Sequence, residues 1–220
     1  MPIFNGEHVE RTTISTEMIN DPERLLAYIA VRSLSVYHNG QKRHYDGFGV
    51  AAVAPVFDRE MHPKILAASN YRPDPENNYC DIRVCAEQAL IDNSLHEGDM
   101  SMGVIFVRGP KPEPKKPIVG CREGMQSLHL CRPCRGRLLE VIGPELLIVT
   151  YNNEDPEPSE AMTLGQMLGY HDAGMAYPEL PAGKTARDIA LESLSAVHKL
   201  MSVRKPSRPR RRILPFERKA

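Results

Sequence analysis

The sequence lacks tryptophan, long apolar runs and an excess of charge of either sign. Its 28 basic residues equal its 28 acidic residues, so the charge of the whole chain does not indicate binding to nucleic acid or to a membrane. No stretch reaches the roughly 18 apolar residues of a membrane-spanning helix, and the N-terminus has neither the basic nor the apolar region of a signal peptide. We therefore expect a cytoplasmic protein that does not enter membranes.

Cysteine is scarce and odd in number. Five cysteines are present, and two of them, Cys131 and Cys134, form a C-x-x-C motif. In a reducing compartment such a set favours metal binding or catalysis over disulfides. Cys80 and Cys121 lie outside any motif and are interpreted as reduced packing residues, because free cysteine is often buried. Cys85, which is followed closely by a glutamate, remains as the third candidate metal ligand.

Hydrophobic periodicity and turn residues predict an alternation of helices and strands. Residues 1–19 are polar and predict an irregular lead-in, and the segment His38-Asn39-Gly40-Gln41 predicts a turn. The predicted helices cover 21–36, 86–95, 132–141 and 185–201. The predicted strands cover 48–54, 64–70, 102–108 and 146–151, with Pro55 and Pro63 in the loop between the first two.

The order of these elements predicts an α/β protein with a three-layer α/β/α fold and a mixed sheet. With 41% hydrophobic residues, the 220-residue chain can bury the core of one domain, which we place at 20–170. A helical extension is predicted at 171–203, followed by a basic tail at 204–220, where prolines and like charges oppose packing. The stretch 109–120 is rich in proline and lysine and is predicted to be an exposed insertion.

Three cysteines and one glutamate have the composition of a catalytic zinc site. Zinc binds thiolates at about 2.3 Å in tetrahedral geometry, and a catalytic site leaves one of the four positions to water. Cys85, Cys131 and Cys134 supply three ligands at the starts of two predicted helices, whose N-terminal partial charges lower the pKa of the thiols. The motifs therefore predict a three-cysteine zinc site with an open position.

Glu87 follows Cys85 by two residues and is predicted to move protons. Zinc lowers the pKa of its water, and a nearby carboxylate can take the proton and pass it to a substrate nitrogen and then to a leaving group. This is the chemistry of hydrolytic deamination at an amidine-like carbon. A structural zinc site is the alternative, and it needs a fourth ligand, for which His96, His129 and Cys121 are the candidates.

The two motifs resemble those of the cytidine deaminase superfamily, in particular those of the small nucleoside deaminases. Cys85-Ala86-Glu87-Gln88-Ala89 is similar to the first zinc motif of that family, and Cys131-Arg132-Pro133-Cys134-Arg135 is similar to the second. The similarity extends over residues 20–170 and implies a cytidine deaminase-like fold. It further implies one zinc ion per subunit, Glu87 as the proton shuttle, and a homo-oligomer, either a tetramer or a dimer, with active sites near subunit boundaries.

The resemblance also implies which residues bind the substrate. Three positions match the family: Phe48 packs on the base, the backbone at Ala86 reads the base carbonyl, and Asn70 contacts the ribose. One position departs, because the family's glutamate two residues after the asparagine is Arg72 here. Arginine pairs with phosphate or carboxylate, so Arg72 favours a nucleotide over free cytidine. Asp74 and Glu76, in the same loop, are candidates to replace the missing carboxylate.

The substrate is left open by the sequence. The leading hypothesis is a zinc-dependent hydrolase that releases ammonia from a small-molecule cytidine-like nucleoside, nucleotide or related aminopyrimidine. The basic tail suggests an alternative, deamination of cytosine in single-stranded nucleic acid, although a chain with no Trp and 5 Phe offers few side chains for base stacking. Further alternatives are a related zinc enzyme that hydroxymethylates a pyrimidine nucleotide, and a nucleotide-binding protein without catalysis.

Overall fold

A computed structural model describes residues 9–43, 48–71, 84–101, 103–112, 125–153 and 155–203. Several residues and segments singled out in the sequence lie outside these ranges: Arg72, Asp74, Glu76, Cys80, Cys121, most of the insertion at 109–120, and the basic tail at 204–220. Within the described ranges the chain forms seven strands and six helices. In chain order these are β1 (Val9–Thr13), α1 (Thr16–Ile19), α2 (Pro22–Arg43), β2 (Ala51–Phe57), β3 (Pro63–Ser69), α3 (Ala86–Glu97), β4 (Met100–Ser101), β5 (Val104–Gly109), α4 (Arg132–Val141), β6 (Leu147–Asn152), β7 (Glu160–Thr163), α5 (Leu164–Asp172) and α6 (Ala186–Val203).

All seven strands belong to one mixed sheet. The strand order is β1-β3-β2-β5-β6-β7, and β4 pairs with β2 beside β5. The β5–β6 pair is parallel, and the other neighbours are antiparallel. A parallel pair needs a long crossover connection, and here that connection contains α4 and the C-x-x-C motif. The predicted mixed sheet is confirmed.

Two helical layers cover the sheet, as the three-layer prediction requires. On one face α1, α2 and α6 pack through side chains such as Ile19, Leu25 and Leu194, which are at most 1% exposed. On the other face α3, α4 and α5 pack through residues such as Leu138 and Met167. Since α6 contributes to the same core as α2, the extension at 171–203 packs on the body of the domain. Among the helices of the described ranges, none has the combined length and apolarity to cross a membrane.

The helices that carry the cysteine motifs match the prediction closely. α3 spans Ala86–Glu97 and ends at Gly98, which takes a left-handed conformation with φ 70°. This is the glycine C-cap that the sequence predicts, because a residue with a Cβ atom is strained there. α4 spans Arg132–Val141, the predicted range.

The turn predicted at His38–Gln41 is wrong, because α2 continues through it to Arg43. Gly40 serves close packing instead of a turn. A Cβ atom at Gly40 would lie 2.9 Å from Asn70 Oδ1, so the glycine lets the helix approach the end of β3. A Cβ atom at Gly49 would lie 2.7 Å from the Tyr37 carbonyl oxygen, so this glycine allows the same approach from the other side.

The irregular lead-in predicted for residues 1–19 is also wrong over 9–19, where β1 and α1 form. β1 is a polar edge strand that pairs with β3, and pairing partners outweigh the weak strand propensity of such a sequence. Pro55 lies inside β2, where a loop was predicted. The proline is tolerated because pairing on one side of β2 passes from β5 at Ala51–Val53 to β4 at Val56–Phe57, which leaves Pro55 outside both ladders.

Candidate metal centre

The three motif cysteines lie at the starts of α3 and α4. Cys85 and Cys131 are the N-cap residues, both in extended conformation, and Cys134 lies in the first turn of α4. Neither N-cap thiol forms a capping hydrogen bond with its own helix. The sulfur atoms therefore stand at two positive helix ends without being used to cap them, which suits them to hold a cation as thiolates.

The sulfur geometry fits a single metal ion. The three Sγ atoms lie within 4.8 Å of one another, and Cys85 Sγ is 3.6 Å from Cys131 Sγ. Two thiolates bound at about 2.3 Å to one tetrahedral ion would be about 3.8 Å apart. A disulfide would bring the two atoms to about 2.05 Å. Cys134 is buried and the other two are half-buried, so one side of the cluster remains accessible.

Hydrogen bonds among the three sulfurs separate their pKa values. Hydrogen bonds with Cys134 and with Cys85 lower the pKa of Cys131. The hydrogen bond to Cys131 raises the pKa of Cys85 to about 12 and also raises the pKa of Cys134. The three thiols thus interact directly with one another, and a metal ion that binds them takes the place of their protons.

Glu87 lies beside this cluster in the first turn of α3. It is 4% exposed, and burial raises the pKa of its carboxyl to about 7, to which the charge on Cys131 adds. The carboxylate also interacts electrostatically with Cys85 and Cys134, so it faces all three sulfurs. The structure therefore brings the predicted proton carrier and the predicted ligands together.

Two of the predicted substrate-binding residues, Asn70 and Ala86, are also next to the cluster. Tyr71 and Val84 form an antiparallel bridge, which places Asn70 opposite Cys85 in register. The Asn70 side chain accepts a hydrogen bond from Val50 N at 2.7 Å and donates one to the Phe48 carbonyl oxygen at 2.8 Å. Asn70 therefore ties the segment at Phe48 to the edge of the cluster. Ala86 is fully buried as the first residue of α3.

The two histidines considered as a fourth ligand do not complete the cluster. His96 is ten residues beyond Ala86 on α3, about 15 Å along the helix axis. His129 is buried with one ring nitrogen 2.9 Å from His171 Nε2 and the other 3.0 Å from Glu160 Oε2, so both of its nitrogens are engaged. Cys121 lies outside the described residues. Within the described ranges the metal-binding group is therefore made of three cysteines.

A buried polar network next to the second motif was not predicted. Arg135 is 5% exposed and donates to the Leu130 carbonyl oxygen at 2.6 Å and to Asp172 at the end of α5. Glu160 bonds to His129 and to Tyr177. Nothing in the local sequence indicates the side-chain pairs of this network, because their members lie 17 to 37 residues apart.

An apolar pocket of about 330 Å³ lies elsewhere, between the C-terminal halves of α3 and α4. Leu90, Leu95, Leu138 and Ile142 are among its lining residues. Since both helices begin at the cysteines, this pocket lies at the opposite end of the helical layer from the cluster. The pocket is therefore not part of the candidate site.

No protein-family model matches the chain, and a search of the curated proteins finds none that matches. We therefore infer a function from the geometry of the cysteine cluster, from Glu87, and from the resemblance of the two motifs to the zinc motifs of cytidine deaminases.

Proposed function

We propose that the protein is a zinc-dependent hydrolytic deaminase that converts a cytidine-like nucleoside, nucleotide or related aminopyrimidine to its keto product and ammonia. One observation carries the proposal: three cysteine sulfurs meet at one point beside a buried carboxylate, and no further ligand joins them among the described residues. Sulfur ligands in tetrahedral geometry favour zinc over hard cations such as magnesium or calcium. Three protein ligands are typical of a catalytic zinc site, in which the fourth position is open.

The chemistry divides between the metal and Glu87. When bound, the zinc ion supplies Lewis-acid activation of a water molecule. Glu87 takes a proton from that water and delivers it to the ring nitrogen next to the carbon under attack. The new C–O bond forms, and Glu87 carries a second proton, taken from the newly added hydroxyl, to the amino nitrogen, whose C–N bond breaks so that it leaves as ammonia. Its position in the first turn of α3 allows both transfers from one side chain.

The substrate side of the proposal uses residues that surround Cys85. By resemblance to the cytidine deaminases, Phe48 packs on the base, Asn70 contacts the sugar and the Ala86 backbone reads the base carbonyl. The hydrogen bonds of Asn70 to the backbone of residues 48 and 50 support this arrangement, because they hold Phe48 near the cluster. Arg72, which lies outside the described residues, is proposed to favour a nucleotide.

Assembly and larger substrates belong to the same proposal. By the same resemblance the enzyme assembles as a homotetramer or a dimer. Deamination of single-stranded nucleic acid depends on the tail at 204–220, outside the described residues, and no contact of the described residues favours it. We therefore propose the small aminopyrimidine as substrate and treat the polynucleotide as an outcome of the test.

The test is ammonia release by the zinc-loaded full-length chain. Cytidine, its monophosphate, free cytosine and a cytosine-containing oligonucleotide are compared, with product mass as a second readout. Glu87→Gln should lower turnover of the best substrate by about 100- to 10,000-fold, the usual contribution of a general acid–base group, with zinc content unchanged. Gln88→Ala, one residue further along α3, is the matched control and should retain activity. Ammonia release that survives Glu87→Gln would contradict the mechanism, and turnover of the oligonucleotide alone would contradict the substrate class.

A further inference from the structure

The second cysteine motif is held by a buried arginine. Arg135 follows Cys134 directly, and its Nη1 donates to the carbonyl oxygen of Leu130, the residue before Cys131, at 2.6 Å. Its Nε and Nη2 donate to the two carboxylate oxygens of Asp172 at 3.2 and 3.1 Å. This bidentate pair fixes the guanidinium plane, and the guanidinium in turn fixes the backbone on the N-terminal side of Cys131. Asp172, at the end of α5, thus acts on the ligand segment through Arg135.

A second set of hydrogen bonds, centred on Glu160, holds residues 126–129, which lead into the motif. Glu160 in β7 accepts hydrogen bonds from the backbone N–H of Gln126 at 3.0 Å, from Ser127 Oγ and from Tyr177 OH. Its Oε2 also lies 3.0 Å from His129 Nε2, and His129 Nδ1 lies 2.9 Å from His171 Nε2. His129 thus connects the Glu160 carboxylate to His171 through its two ring nitrogens. Residues 126–129, which lead into the motif, are therefore immobilised.

The two contacts share an origin outside the predicted catalytic domain at 20–170. Asp172 and Tyr177, which we call the C-terminal clamp, both lie in the segment that begins at residue 171. Tyr177 also stacks on the His129 ring at 6.1 Å and packs edge-on against Tyr170 at 5.1 Å. Among the described residues, the neighbours of Cys85 hold it through the backbone bridge between Tyr71 and Val84 and through apolar packing.

Charge supports the same conclusion. Three thiolates around a divalent ion carry a net charge of about −1, which is costly to bury without a nearby cation. The Arg135 guanidinium is buried and is electrostatically coupled to Cys131. Asp172 holds that guanidinium in place and lies farther out, with a third of its side chain exposed.

We propose that the C-terminal clamp is a positioning device for the metal site: through Arg135 and Glu160, Asp172 and Tyr177 set the affinity of Cys131 and Cys134 for the metal. The inference rests on the proposed function only in requiring that the three cysteines bind zinc. The clamp residues are neither the proposed metal ligands nor the proposed substrate-binding residues. Loss of a contact that orients a metal ligand typically lowers metal affinity by about 10- to 100-fold.

The test measures the zinc affinity of the full-length chain by competition with a chromophoric chelator. Asp172→Ala should weaken zinc binding by about 10- to 100-fold, and Tyr177→Phe, which removes a single oxygen, by a smaller factor in the same direction. Asp172→Glu should restore most of the affinity. Glu140→Ala is the matched control, because Glu140 forms an exposed ion pair with Arg137 on the same helix α4. It should leave zinc affinity within about twofold, the scale of an exposed pair.

A second readout separates positioning from general stability. The cobalt-substituted chain should show thiolate-to-metal charge-transfer absorption, and in Asp172→Ala this band should shift or weaken, whereas in Glu140→Ala it should not. If Asp172→Ala and Tyr177→Phe bind zinc as tightly as the parent while their melting temperatures fall, the clamp is only structural and the inference is wrong. If the parent chain does not bind zinc, the proposed function and the clamp inference both fail. If the parent binds zinc and the clamp variants bind it as tightly, only the clamp inference fails.

Discussion

Two groups of three side chains in the described part of the protein bring metal-binding atoms within 4.8 Å of one another: Cys85, Cys131 and Cys134, and Asp58, Glu60 and His62. The second group lies in the turn between β2 and β3. There the Asp58 carboxylate accepts from the backbone N–H groups of Glu60 and His62 at 3.0 and 2.8 Å and pairs with Lys64 at 2.9 Å. Glu60 and His62 are exposed. The carboxylate closes the turn, and its lone pairs are already in use.

The cysteine cluster differs in what its atoms are committed to. Its sulfurs hydrogen-bond to one another and do not cap the helices that they begin. Burial makes water a poor competitor for them, and the two helix ends favour their ionised form. The comparison teaches that closeness of ligand atoms alone does not make a metal site, and that the cysteine group, whose atoms have no other structural task among the described residues, is better suited to hold an ion.

The largest effect is expected from Cys134→Ser, which removes the most buried ligand. Zinc binding should weaken by more than the about 100-fold that loss of a supporting contact costs, and ammonia release should be abolished. Metal content by mass spectrometry and the deaminase assay measure the two effects. Asp58→Asn is the matched control from the other group and should retain both. If Asp58→Asn loses the metal and Cys134→Ser keeps it, the comparison is reversed.

A smaller effect is expected at Asn70, whose amide is committed to the backbone as the Asp58 carboxylate is. Asn70→Ala leaves the buried N–H of Val50 without its acceptor, so the free energy of unfolding should fall by about 1–3 kcal/mol. Because Phe48 loses its tie as well, the KM for the aminopyrimidine should rise, while zinc affinity stays within about twofold of the parent. Chemical denaturation, steady-state kinetics and chelator competition test the three parts. A strong loss of zinc in Asn70→Ala would show that Asn70 supports the metal ligands.

The smallest effect is expected from Asp58→Asn, in which the stability difference from the parent is present at neutral pH and disappears in acid. Partial burial opposes ionisation of Asp58, but the hydrogen bonds from Lys64 and from His62 N outweigh it and lower the pKa of the carboxyl from 3.8 to about 2. A carboxyl whose pKa is lower in the folded chain stabilises the fold above its unfolded pKa, and that contribution is lost as pH falls from about 4 to 2. The parent should therefore lose stability over this interval more steeply than Asp58→Asn. Urea denaturation at pH 4 and at pH 2.5 measures the free energy of unfolding. An equal fall of this free energy in the parent and in Asp58→Asn would contradict the assignment. Glu60→Gln is the control.

The metal half of the site was predictable because its signals are local. Cys85 and Cys131 precede runs of helix formers, Gly98 ends α3 as a left-handed cap, and these features lie within one helix length of each ligand. Local signals also determine the layer architecture, since the order of helices and strands leaves few ways to cover a mixed sheet. The three-layer fold and the convergence of the cysteines followed from them.

The parts that could not be predicted depend on distant partners. Gly40 has the sequence context of a turn, yet it lies within α2. There the missing Cβ atom leaves space for Asn70, which is 30 residues away along the chain. The ion pair of Arg135 with Asp172 joins residues 37 apart, and no periodicity connects them. β1 is a strand because β3 offers an edge, which its own polar residues do not reveal. In each case tertiary contacts outweigh local propensity.

X-ray absorption at the zinc K edge of the purified, zinc-loaded chain tests the central claim most directly. The account predicts one zinc per chain, with three sulfur scatterers at about 2.3 Å, one light scatterer at about 2.0–2.1 Å, and no multiple-scattering signature of an imidazole ring. Cys134→Ser should lose this spectrum, and Glu87→Gln should keep its three-sulfur shell. Four sulfur scatterers, or three with a histidine signature, would show a closed structural site and contradict the proposed catalytic zinc.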